Sequence, residues 1–159
     1  MSKNRDAEYH FYMVECDNKG KVANDADELD LEAHFDGLTY MKAEGLNKLG
    51  KPRVYTEKFA DSDRVRVYKP DDTLRDSMTV TFTFAFVGKN RYQTYHEFVE
   101  YISTGIKRYR DTARNKYLYF FVDSEIKPAK EMWYGSTPYL TADIQVQSIF
   151  GKTFDEPII

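Results

Sequence analysis

One stretch, Thr79-Val80-Thr81-Phe82-Thr83-Phe84-Ala85-Phe86-Val87, constrains more than any other what the chain can fold into. Val80, Phe82, Phe84 and Phe86 fall on one side of an extended backbone, and Thr79, Thr81, Thr83 and Ala85 on the other. That is a strand with one strongly apolar face. Past Gly88-Lys89-Asn90 the period lengthens. Tyr92, Tyr95, Phe98, Val99, Ile102 and Ile106 recur at three- and four-residue steps, one stripe of an amphipathic helix interrupted near Gly105. A strand that feeds such a helix through a glycine turn calls for a sheet with the helix laid against it.

The remaining segments favour strands. Glu8 to Cys16 alternates loosely and stops at the turn-forming Asp17-Asn18-Lys19-Gly20. Asn24 to Asp36 is acidic and weakly patterned, a loop with one short element. Gly37 to Tyr68 offers short strands broken at Gly45, Gly50 and Pro52, the clearest being Arg64-Val65-Arg66-Val67-Tyr68. Arg108 to Lys116 reads as a polar connection, and Tyr117 to Val122 as a short apolar strand. Lys127-Pro128 and Gly135-Ser136-Thr137-Pro138 bracket a loop holding Met132, Trp133 and Tyr134. A last strand, from Tyr139 to about Ile149, turns Leu140, Ala142, Ile144 and Val146 inward, and Thr141, Asp143, Gln145 and Gln147 outward. The tail, Asp155 to Ile159, extends from the body. Many strands, one helix and more strands predict an α+β, mostly β fold. It is a β-sandwich or partly open β-barrel with one amphipathic helix packed on its flank, a single domain over residues 1–159 with extended terminal arms.

A chain of 159 residues, 42% hydrophobic and 31% charged, is long and apolar enough to bury a core without disulfides or metals. Its 13 Tyr and 11 Phe suit pleated surfaces, and Tyr also suits interfaces. The formal net charge of −3 argues against a general affinity for nucleic acid. Cys16 has no second cysteine to pair with and sits in an apolar run, where a small buried hydrophobe is expected. The polar start, Met1-Ser2-Lys3-Asn4-Arg5-Asp6, has no apolar signal region, and no run of apolar residues is long enough to span a bilayer. A protein made and folded in the cytoplasm is expected.

Chemistry-bearing motifs are few. His10, His34 and His96 are far apart and have no metal-ligand spacing. The acidic runs Asp25-Ala26-Asp27-Glu28 and Asp61-Ser62-Asp63 lack the glycine and closing Glu of a calcium loop. There is no nucleophile elbow and no Gly-rich phosphate loop. No catalytic, cofactor-binding or metal-ligating residue is therefore assigned, and no cofactor is expected. The basic segment Lys107 to Lys116, with Arg108, Arg110, Asp111, Arg114 and Lys116, has three readings. It caps a helix end, it meets an acidic surface such as Asp25 to Glu32 on a neighbouring subunit, or it grips single-stranded nucleic acid. Trp133 and Tyr134 are either interface anchors or the cap of an open barrel end.

The second half carries a resemblance. Phe82-Thr83-Phe84-Ala85-Phe86-Val87-Gly88, then Tyr92, Tyr95, Phe98-Val99 and Tyr101-Ile102, then Tyr117 to Val122 and Ser148-Ile149-Phe150-Gly151-Lys152 resemble the N-terminal domain of siphophage distal tail proteins and related tail-tube proteins. Asp36-Gly37-Leu38-Thr39-Tyr40 and Tyr55-Thr56-Glu57 fit the same pattern more loosely. The resemblance implies a non-enzymatic structural subunit of a phage or prophage tail, forming rings, often hexameric, with other copies of itself and with other tail proteins. It further implies no membrane and no specific nucleic acid as partner, synthesis in the bacterial cytoplasm, and a place in the virion tail. The alternative is a small β-barrel that binds a ligand or nucleic acid through residues 107–116.

Overall fold

The computed structural model describes residues 10–46, 49–50, 55–58, 65–68 and 75–159. Its main body is one antiparallel sheet of eight strands. In chain order these are β1 (Phe11–Cys16), β2 (Leu29–Asp30), β3 (Leu38–Glu44), β6 (Thr79–Val87), β7 (Ile106–Asp111), β8 (Lys116–Phe121), β9 (Lys130–Tyr134) and β10 (Thr137–Ser148). The two intervening strands, β4 (Tyr55–Lys58) and β5 (Val65–Tyr68), form a separate two-stranded ribbon, so the alternating Val65-Arg66-Val67-Tyr68 is a strand as expected. The runs 1–9 and 61–63 lie outside the described residues.

The order across the sheet is β2-β1-β7-β8-β10-β6-β3, and β9 pairs with β10 beside this path. Although four strands lie between β1 and β3 in that order, the ring of Phe11 on β1 stacks on Tyr40 of β3 at 3.8 Å. The sheet has rolled until its two ends meet through side chains rather than through a ladder. This is the mostly β architecture expected, in its partly open barrel form.

The strand at 79–87 behaves as its pattern dictates. Val80, Phe82, Phe84 and Phe86 are fully buried and stand beside Val146, Ile144, Ala142 and Leu140 of the neighbouring strand β10 on the same inward face. Burial of each phenylalanine contributes about 2–3 kcal/mol. The opposite face carries a polar ladder instead: Thr83 donates to Asp143 at 2.6 Å and Gln147 donates to Thr79 at 2.9 Å.

Helix α2 (Arg91–Ser103) lies over β6. Phe98 packs edge-on against Phe84 at 4.7 Å, and Tyr95 against Phe86 at 5.5 Å. The helix stops one turn before the end of its apolar stripe. Ser103 and Thr104 donate their hydroxyls to the carbonyls of Val99 and Glu100, and Gly105 takes φ +65° immediately after. A left-handed glycine beyond a helix end reverses the chain, so Ile106 opens β7 instead of closing the helix. At the other end of the stripe Tyr92 is an exposed large hydrophobe, not a core residue.

Three further segments depart from the sequence expectation. Residues 107–116 are a β-hairpin rather than a polar connection, because alternation along Lys107 to Asp111 lets Tyr109 enter the core. Asn24 to Asp36 folds into a 3-10 turn (Asp25–Asp27), β2 and a one-turn helix α1 (Leu31–His34), which inserts Leu31 and Phe35 into the core. The tail does not run free. Phe154 exchanges backbone hydrogen bonds with Tyr117 at 2.8 and 2.9 Å, and the Ile158 amide donates to the Tyr119 hydroxyl at 2.8 Å. Among the described residues no helix is long and apolar enough to cross a membrane.

Candidate functional site

Seven residues were expected at subunit contacts, and they occupy two hairpins of opposite character. The first is β7–β8. Odd-numbered positions of β7 face the core and even-numbered ones face outward, so Arg108 and Arg110 sit side by side on the outer face of the barrel wall. They do not lie open there. Glu28, which follows the 3-10 turn, folds over them and accepts from Arg108 at 2.9 Å and from Arg110 at 3.1 and 2.6 Å. Asp25 adds a longer contact to Arg108 at 3.5 Å. The Arg110 guanidinium also stacks over the Tyr12 ring at 4.0 Å, a cation–π contact. Burial opposes the charge of Arg110, but the Glu28 carboxylate outweighs it and holds the guanidinium pKa above its ordinary value.

The inward positions are buried too. Asp111 is fully buried, yet every acceptor position on it is used. It receives the Ala113 and Arg114 amides at 2.7 and 3.1 Å, the Arg114 guanidinium at 2.6 Å and the Tyr109 hydroxyl at 3.1 Å. Asp111 thereby fixes the four-residue turn that ends on Asn115 at φ +56°. Lys107 donates to the Thr104 carbonyl and lies over the Tyr101 ring at 4.7 Å, and burial lowers its pKa. Lys116 pairs with Asp155 of the tail.

The basic segment and the acidic stretch that includes Asp25 and Glu28 do meet, but within one chain. The expected partner surface for Arg108 and Arg110 is thus supplied internally. Glu28 lies within the acidic stretch expected as a partner surface, whereas Asp155, the partner of Lys116, is not singled out by the sequence. Opposite charge between the two segments was visible, but nothing in sequence spacing says whether such a pair closes within or between chains.

The second hairpin, β9–β10, is the reverse. All five residues of β9 are exposed, with Met132 at 44%, Trp133 at 63% and Tyr134 at 67%. The segment expected as a loop is a strand, paired from Tyr134↔Thr137 to Lys130↔Thr141. It stands off the body, so the aromatics do not cap the barrel end. Beside its pairing with β10, the strand is tied to α2 through Glu131, which accepts from Arg91 at 3.3 Å.

Of the surface grooves, two bear on these elements, one along β1 and one against the first hairpin. The larger, about 780 Å³, is lined by Val14, Glu15, Cys16, Asp17, Lys21 and Tyr101. Its thiol is no nucleophile near neutral pH: burial, with Asp17 beside it, pushes the Cys16 pKa up to about 11. A smaller groove of about 340 Å³ lies between Arg108, Arg110, Tyr117 and the tail residue Ile158. Among the described residues no three His, Cys, Asp or Glu side chains are grouped to hold a metal ion. Compared with known proteins, the chain matches no family model and no curated protein.

Proposed function

We propose that this chain is a non-enzymatic structural subunit of a phage or prophage tail, built in the bacterial cytoplasm and assembling into rings with copies of itself and with other tail proteins. The observation that carries the reading is the β9–β10 hairpin. The core is closed within one chain, yet Met132, Trp133 and Tyr134 are left in solvent. Large exposed apolar side chains on both faces of one hairpin mark it as a contact element. The segments that carry the tail-protein resemblance, in β6, α2, β8 and β10, supply much of the core alongside residues of β1, α1, β3 and β7.

The rival reading, a ligand- or nucleic-acid-binding barrel, rests on residues 107–116. Its cations are engaged by Glu28, Asp111, Thr104 and Asp155, which leaves no open basic face on that hairpin. The test is solution mass by light scattering across a concentration series. A ring-sized species, or a steady climb toward one, supports the tail-subunit reading. A strict monomer at high concentration that also ignores neighbouring tail proteins overturns it.

A further inference from the structure

We infer that β9 is a two-fold pairing edge, made to join its counterpart in a second copy of this chain. The inference goes beyond the tail reading and stands without it. Sheet edges present unpaired N–H and C=O groups and are normally blunted by shortness, bulges or charge. This protein blunts two of its edges in that way. β2 is two residues long. β3 carries a bulge between Tyr40 and Lys42 and exposes Lys42 and Glu44. β9 is five residues long and has no bulge; it exposes Lys130 and Glu131 at one end, as β3 exposes Lys42 and Glu44, but its other end is three exposed apolar side chains, Met132-Trp133-Tyr134.

The hairpin turn fixes which groups of β9 face outward. Gly135, at φ +61°, is the first of two loop residues between the paired Tyr134 and Thr137, the position glycine takes in a type II′ turn. Such a loop closes on a hydrogen-bonded pair, and the bonding then alternates along the strands. Tyr134, Met132 and Lys130 therefore bond inward to β10, whereas Trp133 and Glu131 direct their N–H and C=O groups outward. Pro138 agrees with this register. It lies opposite Trp133, in the non-bonded pair where its missing N–H is not needed.

A second copy can meet these outward groups antiparallel, about an axis through Met132. Glu131 of each copy then faces Trp133 of the other, exchanging four backbone hydrogen bonds. Met132 faces Met132, and Lys130 faces Tyr134. No like charges oppose one another. Lys130 meets an aromatic ring, and the indole N–H of Trp133 meets the Glu131 carboxylate. Centring the axis on Glu131 instead would set two carboxylates against each other, and centring it on Trp133 would run Lys130 into the turn.

The size of the contact sets its strength. With two aromatics of about 200 Å² each, two-thirds exposed, plus Met132, the edge covers roughly half the ~800 Å² per partner of a stable interface. The pairing is a weak joint, populated at high concentration or when other contacts hold two subunits near. A two-fold joint cannot close a ring by itself, so in a ring-forming subunit it links stacked rings or pairs of subunits.

The experiment is Met132→Cys in the full chain under mild oxidation, with Tyr134→Cys as the off-register control and the wild type, whose single thiol is the buried Cys16, as blank. Opposed residues of a non-bonded antiparallel pair lie about 4.5 Å apart at Cα, within disulfide range, while residues two places from the axis lie roughly 13 Å apart. Met132→Cys is expected to convert to covalent dimer at least tenfold more than Tyr134→Cys. A Met132→Cys protein that stays monomeric, or that links no better than Tyr134→Cys, overturns the inference. Neither result bears on ring-sized mass in the wild type, so the edge and the tail reading fail separately.

Discussion

Glu28 grips Arg110 through both of its carboxylate oxygens, with Arg110 Nε at 3.1 Å from Oε1 and 3.3 Å from Oε2. The same carboxylate neutralises Arg108, whose side chain is only 7% exposed against 12% for Glu28. One acid thus contacts two cations on a barrel wall, while the buried Nε of Arg108 is left without a hydrogen-bond partner among the described residues.

Removing that acid leaves Arg108 charged and buried. Glu28→Ala is expected to cost about 3 kcal/mol, because breaking a buried pair strands the surviving ion. For a chain of this length that lowers Tm by roughly 6–12 °C. Adding Arg108→Met should recover part of the loss, since the stranded charge goes with it. Thermal unfolding followed by circular dichroism checks both; an unchanged Tm in Glu28→Ala would mean the pair is not formed in solution.

Two glycines with positive φ should respond unequally to the same substitution. At Gly37, φ +76°, an added Cβ would lie 2.0 Å from the Val87 carbonyl oxygen, whereas at Gly135, φ +61°, it meets nothing within 4 Å. Both variants carry backbone strain of about 1 kcal/mol, and Gly37→Ala must also displace the end of β6, for about 3 kcal/mol in all. Urea unfolding midpoints compare the two directly.

The buried thiol and phenols make the fold sensitive to alkali. Burial raises Cys16 to about 11 and Tyr101 to about 12, and it also raises Tyr40, Tyr109 and Tyr119. Each favours its neutral form in the folded state. Their contribution is complete below the ordinary values of 9.0 and 10.0 and is lost as pH climbs through the raised ones. Stability should hold level to about pH 9 and fall steadily between pH 9 and 12. At pH 8 only about one Cys16 in a thousand is thiolate, so labelling by a thiol reagent should be slow in the native protein and fast in denaturant.

Trp133 is the chain's one tryptophan and is largely exposed, which makes it a reporter of contact. Trp133→Ala and Tyr134→Ala are expected to change unfolding free energy by under about 0.5 kcal/mol, as exposed substitutions usually do. Both should weaken any self-association seen by light scattering. In the wild type, Trp133 emission should move to shorter wavelength as concentration rises. A large stability loss in either variant would show that the hairpin packs on the body.

The local pattern settled the strand at 79–87, the inward face of β10 and most of the α2 stripe. In each of these, period and burial follow from side chains meeting one core. The clean alternation of Val80, Phe82, Phe84 and Phe86 leaves a single register with an apolar interior. Pattern failed where the decisive contact was distant. Arg108 and Arg110 looked like part of a polar connection in isolation, and the acid that covers them, Glu28, lies some eighty residues earlier.

The sequence by itself determined a β-rich chain with one striped helix, an apolar strand to lay it on, and opposite charges in two remote segments, because period and composition are local properties. Only the tertiary structure decided where those charges and aromatics went. Rolling the sheet brought Phe11 against Tyr40, and the pairing of β2 and β7 on either side of β1 set Glu28 over Arg108 and Arg110, which engaged those cations inside the molecule. The same chain path carried β9 past the end of that roll, where β10 pairs one of its edges, and so left Met132, Trp133 and Tyr134 in solvent.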